Sequence, residues 1–176
     1  MPEILDAPLT HKGREQAILL QSTVRALKDK PELVVFSPNC RALQTGMLAF
    51  QELDEKVPFI AHECVREETG VHMCDKRRPK SQQAKEFPRI DFSELETEHD
   101  AIFDENVRET KLQLVNRIYK FLEWLEARDE KHVGVSSHSA FLLTLFNANL
   151  VSDDDKLKDW FQTGEMRSAV LEFVRT

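Results

Sequence analysis

Several features are scarce in this sequence, and each scarcity excludes something. Cysteine occurs three times, at Cys40, Cys64 and Cys74, an odd set with no CxxC pair. A disulfide framework is therefore not expected, and the thiols read as reduced, in a cytoplasmic compartment. No apolar run approaches the ~18 residues of a membrane-spanning helix, so no contact with a membrane is expected. The amino-terminal stretch has no basic segment followed by an apolar one, so a secretory leader is not expected. Basic residues are outnumbered: 24 Lys and Arg against 31 Asp and Glu, a net charge of −7, argue against broad nucleic-acid binding while leaving room for a small basic pocket. Repeats, low-complexity tracts and linkers are absent, so residues 1–176 read as one domain.

What is present alternates between two periodicities. Residues 9–28 read as a helix, with Thr10 as N-cap and Ala17, Leu20, Val24 and Leu27 on one stripe. "LVVF" and "VPFIAHE" read as short buried strands. Ser37 and Pro38 suit the N-cap and first position of a helix running to about Leu53. From 106, an amphipathic helix carries Val107, Leu114, Val115, Ile118, Phe121, Leu122 and Leu125. "HVGVSSHSAFLLTLF" reads as strand, polar turn and apolar helix, "DDDKLKDWFQ" as a further helix, and "MRSAVLEFV" as a final strand. Residues 62–105 show no clear period, which marks a functional or mobile segment more often than a plain connector. The order predicts an α/β fold: a three-layer α/β/α sandwich around a mostly parallel sheet.

In such sheets ligands collect where strands end and helices begin. Arg41 stands at one such junction, in "VVFSPNCRALQT"; it can present a guanidinium fork beside free backbone N–H groups to a phosphate, or be an ordinary surface ion pair. His138 stands at another, in "VGVSSHSAF", where it can contact an anion, move a proton or serve as a hydrogen-bonded structural group. The GxSxG pattern of a serine hydrolase is not met there. His62, Cys64, His72 and Cys74 are paired with one-residue gaps, narrower than zinc ligand pairs, and alternation along an extended chain explains them equally well. Glu63, Glu67 and Glu68 offer a general acid if burial raises a carboxyl pKa, though most glutamates are simply solvated. "DKRRPK", with Lys76, Arg77 and Arg78, reads as an exposed loop or as a contact for an anionic substrate.

Three of these segments, in order, carry a resemblance. "LTHKGREQA" resembles the LTxxGxxQA segment of the histidine phosphatase superfamily, also called the phosphoglycerate mutase-like family. "SPNCRALQT" is similar to its SPxxRAxQT segment, and "VSSHSAF" to the strand ending in the family's second histidine. The likeness runs from about Asp6 to the end of the chain, and "REETGVHMCDKRRPKS" resembles a eukaryotic branch of phosphoglycerate mutase-like proteins. It implies hydrolysis or transfer of phosphoryl groups on a small phosphorylated substrate through a phosphohistidine, with no metal and no organic cofactor. Arg41 matches the second phosphate-holding arginine and His138 the second histidine, with Ser139 beside it as a further phosphate contact. Glu67 best matches the acid that protonates the leaving oxygen, and Glu63 is the fallback. Lys76, Arg77 and Arg78 are candidate substrate-loop residues. The resemblance places phosphatase above mutase and says nothing of oligomeric state.

One segment of the pattern is not found. The family nucleophile is the histidine of an Arg-His-Gly tripeptide ending the first strand. None of the six histidines, at positions 11, 62, 72, 99, 132 and 138, stands in that context; His11 falls on a variable position of LTxxG. The corresponding strand is central in the family, beside the strand that carries His138. Its loss would expose backbone groups at ~1–3 kcal/mol each, against a domain stability of ~5–15 kcal/mol. The expectation is a fragment, or incomplete gene model, of an active phosphatase. The alternatives are an inactive relative that binds a phosphorylated ligand or a protein partner, and, ranked lower, a fold rearranged around the gap.

Overall fold

The computed structural model describes residues 4–174. Helix α1 spans His11–Ala26 and begins where expected: the Thr10 hydroxyl accepts from Gly13 N at 3.1 Å, and Gly13, Ala17, Leu20 and Val24 form its buried stripe. Strand β1, Leu33–Phe36, is buried along its whole length. It is followed by α2 (Cys40–Ala49), β2 (Phe59–Ala61), α3 (Lys80–Glu86), α4 (Lys111–Glu126), β3 (Val133–Ser136), α5 (Ser139–Thr144), a π turn at Leu145–Asn149 and a single helical turn, α6, at Asp155–Lys158.

The three strands form a parallel sheet in the order β2-β1-β3, with Val34 opposite Phe59 and Gly134, and Phe36 opposite Ala61 and Ser136. Alternation along β1 divides the core. Val34 and Phe36 pack with Leu20, Val24, Leu43, Phe50 and Phe92 on one face; Leu33 and Val35 pack with Leu114, Ile118, Phe121, Phe141 and Phe146 on the other. A strand buried on both faces must be apolar at every position, which is why "LVVF" shows no alternation. Helix α2 lies close against the sheet because position 46 is glycine. A Cβ there would stand 2.4 Å from Phe36 Cε1 and 2.9 Å from Ser136 Cβ.

Several boundaries differ from the sequence reading. Helix α2 starts at Cys40 with Asn39 as its N-cap, not at Ser37–Pro38, because Asp6 reaches across the chain and accepts from Cys40 N at 2.8 Å. Helix α4 starts at Lys111, where Thr110 and Gln113 form a reciprocal capping box. Residues 62–105 hold two short 3₁₀ turns and α3, and Asp91 bridges to Ile60 beside β2. In "DDDKLKDWFQ" only one helical turn forms. The Arg167 guanidinium takes the carbonyls of Lys156, Asp159 and Trp160, where continued helix would use its own N–H groups. Residues 166–174 are not a strand: their backbone is irregular and makes no ladder with β3, which is an edge strand among the described residues. Strand-forming sequence needs a neighbouring ladder to become a strand. Among the described residues no helix is long and apolar enough to cross a membrane.

Candidate active site

The carboxyl ends of β1 and β3 lie side by side, and each turns into a helix that carries one candidate residue. After β1, Ser37 and Asn39 are buried and Arg41 occupies the first turn of α2. After β3, His138 takes extended backbone as the N-cap of α5 and is buried, its Nε2 sharing a 2.7 Å hydrogen bond with Ser37 Oγ. The loop after β2 brings in Glu67. Its carboxylate accepts from Phe141 N at 3.2 Å and Ala140 N at 3.4 Å at the start of α5, and from Glu68 N at 3.0 Å.

Arg41, Glu67, Ser137, His138 and Ser139 line a cavity of about 800 Å³ where it meets the carboxyl ends of β1 and β3. The fold therefore gathers four predicted residues, Arg41, Glu67, His138 and Ser139, at one place. The other predictions lie elsewhere. Glu63 does not line the cavity; it accepts from Arg77 Nε at 2.6 Å and from Arg66 Nη1 at 3.1 Å. Arg77 is buried, and its guanidinium also bonds the carbonyls of Thr97, Glu98 and His99. Arg78 pairs with Asp6 and Glu86, and Lys76 lies 5.2 Å over the Phe103 ring. "DKRRPK" thus binds the 62–105 segment together instead of forming an exposed basic loop. The His62 imidazole accepts from Cys64 N and packs on Trp124 and Phe121. Among the described residues, no group of three or more acidic, histidine or cysteine side chains is arranged to hold a metal ion.

Electrostatics separate the roles. Burial, reinforced by the charges of Arg41, Arg66 and Arg117, holds His138 well below the ordinary imidazole range, so it is neutral at pH 7. Burial also raises Glu67; Asp75 pushes the same way, while the amides of Glu68 and Ala140 and the charge of Arg41 oppose it. Arg41 spends part of its fork on the protein, donating to Asp75 Oδ1 and to the Cys74 carbonyl, each at 2.7 Å. About a quarter of its side chain stays exposed to meet an anion.

Three further residues shape the site through contacts that no sequence motif reports. Ser37 backs His138. Asp75 clamps Arg41 and also receives Arg108 at 3.0 Å. Arg117, on α4, donates to the carbonyls of Cys64, Arg66 and Glu67 and so fixes the loop that presents Glu67. Each acts across 33 to 101 residues of chain, a separation no local pattern reports.

The depressed His138 gives a testable pH dependence. In the unfolded chain the imidazole titrates near ~6.5, whereas in the folded chain it titrates lower. Between those values the unfolded state binds the extra proton, so stability falls as pH drops below ~6.5. Urea denaturation from pH 7.5 to 5 should show this slope, and His138→Gln should flatten it. An unchanged slope would show that His138 is not the residue responsible.

Comparison with known proteins agrees with the motifs. The model of the histidine phosphatase superfamily (branch 1) matches residues 3–174. Two Arabidopsis thaliana proteins are similar along the chain. "Phosphoglycerate mutase-like protein 1" is 34% identical over 96% of this chain and 71% of its own length. "Phosphoglycerate mutase-like protein" is 32% identical over 96% and 74%. Among solved structures, the ecdysone phosphate phosphatase of Bombix mori, determined with tungstate, superposes with a TM-score of 0.60 at 18% identity, covering 96% of this chain and 76% of that one. An Escherichia coli protein described as a putative alpha-ribazole-5'-P phosphatase gives 0.58 at 19%, covering 92% and 78%. These structures share the fold, and the match along residues 3–174 settles the family: the chain belongs to the histidine phosphatase superfamily, branch 1.

Proposed function

We propose that the part of the cavity lined by Arg41, Glu67 and His138 is a phosphate-monoester site of the histidine-phosphatase type. The observation that carries this reading is the convergence of Arg41, Glu67 and His138 on one cavity from three separate loops. The exposed part of the Arg41 guanidinium binds phosphate oxygens, and His138 and Ser139 donate further hydrogen bonds. A bound dianion draws His138 toward its protonated form, because opposite charge nearby favours the charged imidazole. Glu67, raised by burial, keeps a proton closer to neutral pH than an ordinary glutamate and suits protonation of a leaving oxygen.

The nucleophile is a separate matter. Arg-His-Gly occurs nowhere in the 176 residues, and of the two histidines that line the cavity, His132 lies just before β3 beside Asp29 and Glu32, away from the strand ends that hold Arg41 and His138. We therefore read these residues as the phosphate-holding half of a phosphatase, inert by themselves. Phosphatase is preferred to mutase because Arg77 and Arg78 are engaged within the fold and add no second basic pocket to the cavity. The absence of an Arg-His-Gly segment from these residues favours one alternative, a pseudoenzyme that binds a phosphorylated ligand or a protein partner. None of the three cysteines forms a disulfide, which supports a cytoplasmic setting.

Tungstate serves as the phosphate-like probe. Purified residues 1–176 are expected to hydrolyse p-nitrophenyl phosphate no faster than buffer. Tungstate is expected to raise the melting temperature, and Arg41→Ala to weaken that effect at least ~10-fold, the scale of one charge-assisted contact. Absence of any tungstate effect removes both the phosphatase and the pseudoenzyme readings. Metal-independent turnover that His138→Ala abolishes would show instead that the nucleophile lies within these residues.

A further inference from the structure

Asp6, Asn39, Ser37 and His138 are all buried and hydrogen-bonded in a line, and their chemistry fixes where each proton sits. The Asp6 carboxylate accepts from Cys40 N at 2.8 Å and from Arg78 Nε at 3.0 Å. Asn39 Nδ2 donates to the Asp75 carbonyl at 3.1 Å and to Asp6 Oδ1 at 3.4 Å. Both of those oxygens only accept, so the amide turned the other way would set oxygen against oxygen. Asn39 Oδ1 therefore faces Ser37 Oγ, 3.4 Å away. An amide oxygen also only accepts, so the Ser37 hydroxyl proton points to it. The Asn39 N–H points at the same Oγ from 3.5 Å, which leaves Oγ an acceptor toward its remaining neighbour. That neighbour is His138 Nε2, at 2.7 Å, and this nitrogen must carry the proton of the bond.

We propose that His138 keeps its proton on Nε2 and presents the bare lone pair of Nδ1 to the cavity, so that the site binds a phosphoryl group together with a proton. His138 lines the cavity and Ser37 does not, and Nδ1 makes no hydrogen bond among the described residues. A bare lone pair repels a dianion. It accepts the proton of a singly protonated phosphate ester: the P–O–H bond breaks, Nδ1–H forms, and the ligand stays as the dianion beside an imidazolium. Where the ligand arrives as the dianion, solvent supplies that proton. Both N–H groups of the imidazolium are then engaged, Nδ1–H on the anion and Nε2–H on Ser37 Oγ, and no other group in the line has to turn. Without an anion the ring stays neutral, because it is buried near the guanidinium groups of Arg41 on α2, Arg66 in the loop after β2 and Arg117 on α4. Of the nearby carboxylates, Glu67 lines the same cavity, and Asp75 is engaged with Arg41 and Arg108. Ser37 and Asn39 are thus positioning residues that act through His138. Proton uptake rests on the reading of this cavity as a phosphate site; the tautomer rests on the hydrogen bonds alone.

The test uses residues 1–176 labelled with nitrogen-15. Two-bond proton–nitrogen correlations of the imidazole rings distinguish protonated from bare nitrogens, and the His138 signals are those lost in His138→Gln. Protonated Nε2 and bare Nδ1 are expected at pH 7.5, and the reverse pattern overturns the proposal. Calorimetric titration with tungstate, repeated in buffers of different ionisation enthalpy, counts the protons taken up on binding. About one proton per tungstate is expected at pH 7.5. Tungstate binding without proton uptake overturns the proposal and leaves the phosphate reading standing. Failure of tungstate to bind removes the phosphate reading, and proton uptake falls with it whatever the tautomer. Ser37→Ala takes away the acceptor of Nε2–H. Proton uptake should then fall at least about two-fold, because a buried N–H without a partner is costly, and the ring should shift toward the Nδ1–H tautomer. A Ser37 that served packing alone would leave both unchanged, which overturns its positioning role. Glu67→Gln tests the other titratable group of the cavity. Uptake that persists in that variant assigns the proton to His138, and uptake that vanishes assigns it to Glu67 and overturns the proposal. The tautomer of the unaltered chain decides the matter even if Ser37→Ala folds poorly.

Discussion

Replacing Arg66 by methionine is expected to lower the unfolding free energy by about 3–5 kcal/mol, the scale for breaking a buried ion pair from one side. Arg66 and the side chain of Asp100 are both fully buried. The guanidinium grips the carboxylate with both arms, at 2.8 and 2.6 Å, and also donates to Glu63 and to the Asp75 carbonyl. Burial by itself would raise the Asp100 pKa; the hydrogen bonds and charge of Arg66 overcome it and hold Asp100 below the ordinary carboxylate range. Methionine fills similar space but leaves that carboxylate with only the backbone amides of Arg77, Ile102 and Phe103. Urea denaturation at pH 7 measures the loss, and a change below about 1 kcal/mol would show that the pair is not strongly coupled to folding. The double variant Arg66→Met, Asp100→Leu should recover much of it, because the penalty lies in the orphaned charge. The consequence reaches the site: Arg66 precedes Glu67, and its hold on the Asp75 carbonyl steadies the residue that clamps Arg41.

Gly70→Ala is expected to cost about 4 kcal/mol, from two independent causes. Gly70 has φ of +93°, a conformation that L residues rarely adopt. A Cβ there would also stand 2.1 Å from the Val107 carbonyl oxygen, a backbone atom that cannot swing aside like a side chain. Relief requires residues 104–109 to move away. That movement breaks the bonds from Val71 N to Asp104 O and from Glu109 N to Thr69 O, each 2.8 Å, and the Arg108 bond to Gly70 O. Those bonds hold the turn that follows Glu67. Thermal unfolding should therefore fall together with tungstate affinity at the site. Unaltered tungstate binding in a destabilised protein would show that Glu67 is positioned independently of this turn.

The layout of the fold was largely legible, and the reasons are local. The stripe of α1, the unbroken "LVVF" and the stripe of α4 each report burial through a short period. The junctions holding Arg41 and His138 were legible because strand-to-helix turns in parallel sheets are where sites form. The misreadings share a cause as well. The start of α2 depends on Asp6, which lies 34 residues away. The helix in "DDDKLKDWFQ" stops because Arg167 takes its carbonyls. "MRSAVLEFV" has the composition of a strand, but strand pairing is made with a neighbour, and a segment's own sequence does not say whether one is beside it.

The sequence by itself determined the family, the parallel arrangement, and the residue types available for an anion site, because these follow from periodicity and from motifs a few residues long. The tertiary structure decided which of those residues meet. It brought Glu67 to the cavity and tied Glu63 to Arg66 and Arg77. It engaged Arg77 with Glu63 and Arg78 with Asp6, away from the cavity lining, and placed no described strand on the outer side of β3. The physical reason is that ion pairing, desolvation and strand addition depend on groups far apart in the chain and close in space, and only the folded chain sets those distances.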